Sequence, residues 1–531
     1  MVDKPGQQDR RQTNRRDGLL QQTALLIAAG LITRLLGFVY RILLARSIGA
    51  EGLGLYQMVF PILVLFLDMT TLSLPVTLSK TVAEAYAQHR PDWAATYLRV
   101  ALRLTLGLGI TFALSLYLAK DLIVGRLLAD PRAEAPLLVS LPMLLVMAVG
   151  AVLQGYFRGI QRMVPLAAAQ IVEQMARIAV GLSAAHAFIA AGIQYAAAGA
   201  SLGTLTGEAV STAFLAMLFW RIRSSFLPIR RSSLGASAAL SQLLQISIPV
   251  TLSKLTDALA AAIQPMIITQ ALLAAQYAVR EATAAYGRLA AMALPLVTFP
   301  TVITYALAMS LVPAVSQRAA RQDATGMIAA STQTLRGVLL IGLPVTAVLY
   351  TLAEPLCQLV YGTMEAANLM QILSIGGLFL YLSTPSAAIL QGAGYASLPF
   401  YVSVAQAILS LALTPVLVRS FSLGIEGAAW AQVIGMVVGG LANCIAVARR
   451  IGLRLGAKET ARLFLPAGVL FLVLQLLAGC LQGFSLPIFV LVALFIGGLV
   501  YLASVLAFHS LSRSEWFALP WVGAWLKRLL S

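Results

Sequence analysis

Charge is what this sequence has least of. Only 11% of its 531 residues are Asp, Glu, Lys or Arg, against 60% hydrophobic, and the mean hydropathy is +0.87. Soluble globular chains carry about a quarter charged residues, so that class is excluded. Cysteine and histidine are scarce too. Cys357, Cys444 and Cys480, and His89, His186 and His509, lie scattered without metal-ligand or disulfide spacing, so no metal site and no cofactor is expected. A Walker phosphate loop (G-x-x-x-x-G-K-[ST]) is missing, which argues against ATP hydrolysis, and nothing in the chain calls for covalent catalysis. A non-enzymatic, all-α polytopic membrane protein is expected.

What the chain has in quantity is long apolar runs. Counting runs of about 20 residues between polar breaks gives fourteen expected transmembrane helices. Prolines 249, 265, 295, 300 and 313 predict kinks in the seventh and eighth. The polar start, with Lys4, Arg10, Arg11, Arg15 and Arg16, is followed by no small-residue cleavage pattern, so the first span is expected to stay in the mature chain. The end, 512–531, carries tryptophans with Lys527 and Arg528 and suits the membrane interface.

Sorting the 37 Lys and Arg residues fixes an expected topology. With the N-terminus inside, 26 fall on inner segments and 6 on outer loops. Positive residues collect on the cytoplasmic side, so both termini are expected there, in a multi-pass cell-membrane protein. The +17 net charge then belongs to the inner membrane face, and no nucleic-acid partner is expected.

The chain also repeats. Ser73-Leu74 with Pro75 and Ser79 matches Ser310-Leu311 with Pro313 and Ser316; Gln154-Gly155 matches Gln391-Gly392; Gly199-Ala200 with Gly207 matches Gly427-Ala428 with Gly435. An even number of spans lies between matches, which predicts parallel, pseudo-symmetric six-helix lobes that rock about a central site. The expected parts are a cytoplasmic tail (1–19), an N-lobe (20–220), a cytoplasmic linker (221–240), a C-lobe (241–450), a final helix pair (451–511) and the tail (512–531).

A few charges sit inside spans, where each costs roughly 2.5 to 3.5 kcal/mol at mid-depth. Glu173 and Arg177 are four apart and Lys254 and Asp257 three apart, so each pair can neutralise itself on one helix face. Asp68 and Glu208 stand alone. These six are candidates for charge pairing or for coupling to a cation or proton. Arg34, Arg41 and Arg288 have no partner in their own helices, and Asp68 cannot balance all three. Their surplus asks for an anion, and guanidinium groups match phosphate oxygens bidentately.

The segments TRLLGFVYRILLARSIGAEGLGLYQ, LPVTLSK, QGYFRGIQRMVP and LPLVTFPTVITYALAMSLVPAVS resemble the stage V sporulation protein B branch of the multidrug/oligosaccharidyl-lipid/polysaccharide (MOP) exporter superfamily. The likeness runs from about residue 20 to 510. It implies fourteen helices as two six-helix lobes plus a final pair, and kinship with lipid II flippases. The flippases' first-helix arginines match Arg34 directly and Arg41 one residue late; Arg288 only approximates the arginine of their eighth helix. The resemblance implies a flippase for an undecaprenyl-pyrophosphate-linked glycan, lipid II foremost, working by alternating access. Its partners would be that lipid-linked oligosaccharide, the bilayer and cell-wall synthases. Another lipid-linked polysaccharide, drug or cation antiport, and a non-transporting cell-wall scaffold are the alternatives.

Overall fold

A computed structural model describes residues 5–226, 233–453, 457–480 and 484–509, without the side chains of 5–24, 27, 224–226, 253, 309–310 and 457–458. The expected tail 512–531 and part of the expected linker lie outside the described residues. Eighteen α-helices and no strand occur among the described residues. An apolar chain leaves few alternatives, because a backbone crossing lipid must satisfy its own hydrogen bonds and a helix does so within each segment.

By packing the chain divides into two compact units, Met1–Gly287 and Arg288–Ser531. The first contains α1 (Pro5–Thr71), α2 (Leu74–Ala87), α3 (Pro91–Leu118), α4 (Glu134–Ser140), α5 (Met143–Gly159), α6 (Val164–Phe188), α7 (Ile193–Phe226), α8 (Ala236–Ala274) and α9 (Val279–Gly287). The second contains α10 (Leu294–Thr298), α11 (Thr301–Ala320), α12 (Ala324–Thr351), α13 (Ala353–Tyr361), α14 (Ala367–Gly392), α15 (Ser397–Pro415), α16 (Ile425–Ile451), α17 (Ala457–Cys480) and α18 (Leu486–Ala507). The repeat-based lobes, divided within 221–240, are a proposal about internal duplication rather than about this packing division.

Among the described residues twelve helices are long and apolar enough to cross a membrane, or thirteen when the bent pair Val279–Thr298 and Thr301–Ala320 counts as one span. Fourteen were expected, and the difference starts at α1. The first candidate, Ala28–Ala87, runs 60 residues without a polar loop. At 1.5 Å per residue that is about 90 Å, three times the ~30 Å hydrocarbon core. Its break at Gly49 (φ 66°, ψ −175°) uses a backbone conformation open to glycine, so the two expected spans join through a kink. The bent pair turns by 52° at residues 299–300, where the prolines predict a kink.

A polar knot holds the start of α9 to the kink region of α1 within the first unit. The buried Asp130, just ahead of α4, accepts from the Arg132 guanidinium (Nη2 to Oδ2, 2.8 Å) and from the Thr283 hydroxyl at 2.6 Å. Arg132 also pairs with Glu51.

Candidate functional site

The site forms where α1 stops. Leu72 and Ser73 adopt positive φ (46° and 51°), a conformation that costs a side-chain-bearing residue roughly 1–2 kcal/mol, and Pro75 then opens α2. Irregular backbone at membrane depth is tolerated where it is buried in protein or lines a cavity. Both conditions meet here. A cavity of about 270 Å³ opens beside the break, and its polar lining comes from Asp68 and Thr71 of α1, Ser73, Gln154 and Arg158 of α5, Glu208 of α7 and Lys254 of α8.

Three residues singled out by their charge, Asp68, Glu208 and Lys254, therefore share one cavity although they come from three helices. Arg158 and Gln154 join them. Neither stood out in the sequence: Arg158 counts there among the cytoplasmic arginines that follow a span, and Gln154 only as half of a repeated Gln-Gly pair. Two cations and two carboxylates leave the cavity formally neutral, which suits a group that exchanges partners more than one held by excess charge.

Glu208 extends this lining into the α6–α7 crossing. Arg177 reaches Glu173 at 2.5 Å and Glu208 at 3.4 Å, so one guanidinium serves two half-buried carboxylates. The expected Glu173–Arg177 pair forms, with Glu208 as a third member. The other expected pair does not form among the described residues. Lys254 lines the cavity with Asp68 and Glu208, and Asp257, three residues on, is exposed without joining that lining. Three atoms of the crossing, Arg177 Nε, Gln174 Nε2 and Gln170 Oε1, are buried with no hydrogen-bond partner, a costly state of about 1–3 kcal/mol each.

Arg34 and Arg41 are both exposed and lie on one side of α1, seven residues apart. Over residues 31–43 the same helix also exposes Leu31, Ile32, Leu35, Val39 and Leu43. At about 100° per residue these apolar side chains spread from roughly 70° to 170° away from the arginines. The helix thus has a broad apolar exposed arc, suited to lipid, with the two arginines together on the side away from its centre. Further along, the arginine side becomes buried at Ala45 and Ile48.

Arg288 is placed differently. It opens a π-helical segment of the second unit and pairs with Glu365 at 3.1 Å. Counting charges inside spans alone had left it without an anion, because Glu365 lies in the polar stretch before α14. Its charge is not surplus.

A bundle of long apolar helices broken beside a charged cavity is the construction of a membrane transporter, and the fold matches solved structures of that class. An inward-facing multidrug resistance MATE family transporter of the MOP superfamily matches with a TM-score of 0.68 at 17% identity, over 79% of this chain and 94% of that one. The lipid II flippase MurJ in an inward closed conformation matches with 0.65 at 15% identity, over 92% and 99%. In sequence, residues 19–319 match the polysaccharide biosynthesis protein family and residues 265–416 the MatE family. Stage V sporulation protein B of Bacillus subtilis (strain 168) is 35% identical over 84% of this chain and 86% of that protein. Lipid II flippase MurJ of the same organism is 24% identical over 91% and 94%. The chain belongs to the polysaccharide biosynthesis protein family, within the MOP superfamily.

Proposed function

We propose that the protein is a flippase that carries an undecaprenyl-pyrophosphate-linked glycan, lipid II foremost, from the inner to the outer leaflet by alternating access. The observation that carries this is the cationic exposed face of α1. Arg34 and Arg41 are both exposed on one side of that helix, seven residues apart, where a polar ligand can reach both guanidinium groups. A diphosphate fits them because each guanidinium offers a planar fork of donors to phosphate oxygens. The relatives named for sporulation and for lipid II flipping support the cargo class.

Transport then needs something to change between states. The cavity at the α1–α2 break offers four charges that can trade partners: Lys254 and Arg158 between the carboxylates Asp68 and Glu208, with Arg177 behind Glu208. We assign Asp68, Glu173 and Glu208 to coupling with a cation or proton, and both termini to the cytoplasm. Fourteen crossings, counting the stretch Ala28–Ala87 as two spans divided at Gly49, and two rocking lobes belong to the same proposal.

The test is reconstitution of the purified full chain in vesicles with fluorescent lipid II, measuring the fraction that becomes accessible on the far side. Translocation by the wild type that is lost in Arg34→Ala/Arg41→Ala supports a flippase. Efflux of organic cations without lipid translocation overturns it for an antiporter, and neither activity overturns it for a scaffold.

A further inference from the structure

A second polar cavity, of about 260 Å³, lies in the first unit between α2, the start of α3 and α8, separate from the charged one. Its polar lining is mostly neutral: the primary amides of Gln88, Gln242 and Gln245, the phenol of Tyr97 and the indole of Trp93, with the carboxylate of Glu84. Glu84 is ion-paired to Lys80 at 3.8 Å, so the pocket has little net charge to offer an ion. Tyr97 donates to Gln242 Oε1. Trp93 is fixed from both sides, its Nε1 donating to Ser233 at 2.8 Å and its ring covered by the Arg90 guanidinium at 5.0 Å.

Amides offer donor and acceptor together, which matches hydroxyl and acetamido groups. An adjoining indole supplies the flat apolar surface that the C–H face of a sugar ring covers. A phosphate would want cations here, and an apolar drug would not use three amides.

The placement strengthens this. On α2, eight residues separate Val76 of the charged cavity from Glu84 of the neutral one; on α8, eight separate Lys254 from Ile246. At 1.5 Å per residue both spacings are about 12 Å. The two cavities therefore sit one after the other along the same pair of helices.

We infer that this amide-lined pocket is a saccharide subsite, which reads the sugar part of a lipid-linked cargo. The inference rests on the proposed flippase function and goes beyond it by naming residues that recognise the glycan.

Binding of two probes to the purified full chain in detergent separates the two claims: undecaprenyl diphosphate alone, and undecaprenyl diphosphate carrying an N-acetylated disaccharide without peptide. The wild type should prefer the sugar-bearing lipid by about tenfold, the gain expected from one or two net hydrogen bonds. In Gln88→Ala/Gln245→Ala, and separately in Glu84→Gln, that preference should fall to near unity; all these side chains are solvent-facing, so melting temperature should hold. A preference unchanged in both variants, or none in the wild type, overturns the subsite and leaves the flippase standing. Failure of the wild type to bind either lipid overturns both.

Discussion

Gly155 and Gly392 stand 237 residues apart and occupy equivalent seats. A Cβ on Gly155 of α5 would meet the backbone of Pro75 at 2.9 Å and the side chain of Leu78 at 3.2 Å; one on Gly392 of α14 would meet the carbonyl of Val312 at 2.9 Å and the side chain of Val315 at 3.1 Å. Both contacts recur at the same 237-residue offset. The next crossings compare differently. Gly207 of α7 lies against Glu173 and Arg177 of α6, whereas Gly435 of α16 lies against Gln406 and Ser410 of α15. After each glycine comes Glu208 in one half and Met436 in the other. The backbone seats are repeated and the charges are not, so shape is shared between the halves while the ion cluster of this crossing belongs to the first alone.

The sharpest way to break this comparison is to remove cations from each half in turn. Arg34→Ala/Arg41→Ala should reduce lipid translocation by about 100-fold or more, since hydrogen bonds to charged groups contribute ~1.5–3 kcal/mol each. Arg288→Ala, whose partner Glu365 is largely exposed, should stay within about threefold, because such pairs are worth ~0–1 kcal/mol. Equal losses in the vesicle assay would show that the second half carries cargo charge as well.

At the crossings themselves the prediction concerns stability. Arg177→Ala strands two half-buried carboxylates and should cost about 3 kcal/mol, the lower end for breaking a buried ion pair. Ser410→Ala, at the equivalent seat, should lie within about 0.5 kcal/mol of wild type. Unfolding in detergent measures both, and a Ser410→Ala effect matching Arg177→Ala would erase the asymmetry.

The shared seats should instead respond alike. Gly155→Ala and Gly392→Ala each press a methyl group against backbone and should cost about 1–3 kcal/mol by overpacking. Lying in different units, they should add in the double mutant to within about 0.5 kcal/mol.

Much of the helical architecture was legible because apolar length is a direct physical requirement of the bilayer. The first kink was not: Gly49 lets α1 turn without any polar loop to announce it. Asp68, Glu208 and Lys254 were legible because a charge in an apolar run needs a reason. Arg158 was hidden by lying near a helix end, where arginine is ordinary, and Gln88, Gln242 and Gln245 because neutral amides stand out in no charge count. The pairing of Arg288 with Glu365 joins residues 77 apart and leaves no local signal.

The finest comparison sets two aspartates that cap helical segments against each other. Burial alone would push the Asp130 carboxyl up, but hydrogen bonds from Arg132, from the Thr283 hydroxyl and from the Arg132 backbone outweigh it and hold it below the ordinary carboxylate range. Asp323, the cap of α12, is lowered as well, by the Gly326 backbone N–H and then the Thr325 hydroxyl. A carboxyl lowered on folding stabilises above its unfolded value of about 3.9, and that stability is lost as pH falls through the folded value. Both should therefore weaken the fold only below about pH 4. Asp130→Asn should lower the melting temperature at pH 7 and flatten its further fall in acid, because the neutral amide has no proton to gain and leaves Arg132 with Glu51 alone. Asp323→Asn keeps an oxygen that can still accept from Gly326 and should move the melting curve less than Asp130→Asn does. If the two substitutions flattened the acid limb equally, the knot around Asp130 would be no more than a second helix cap.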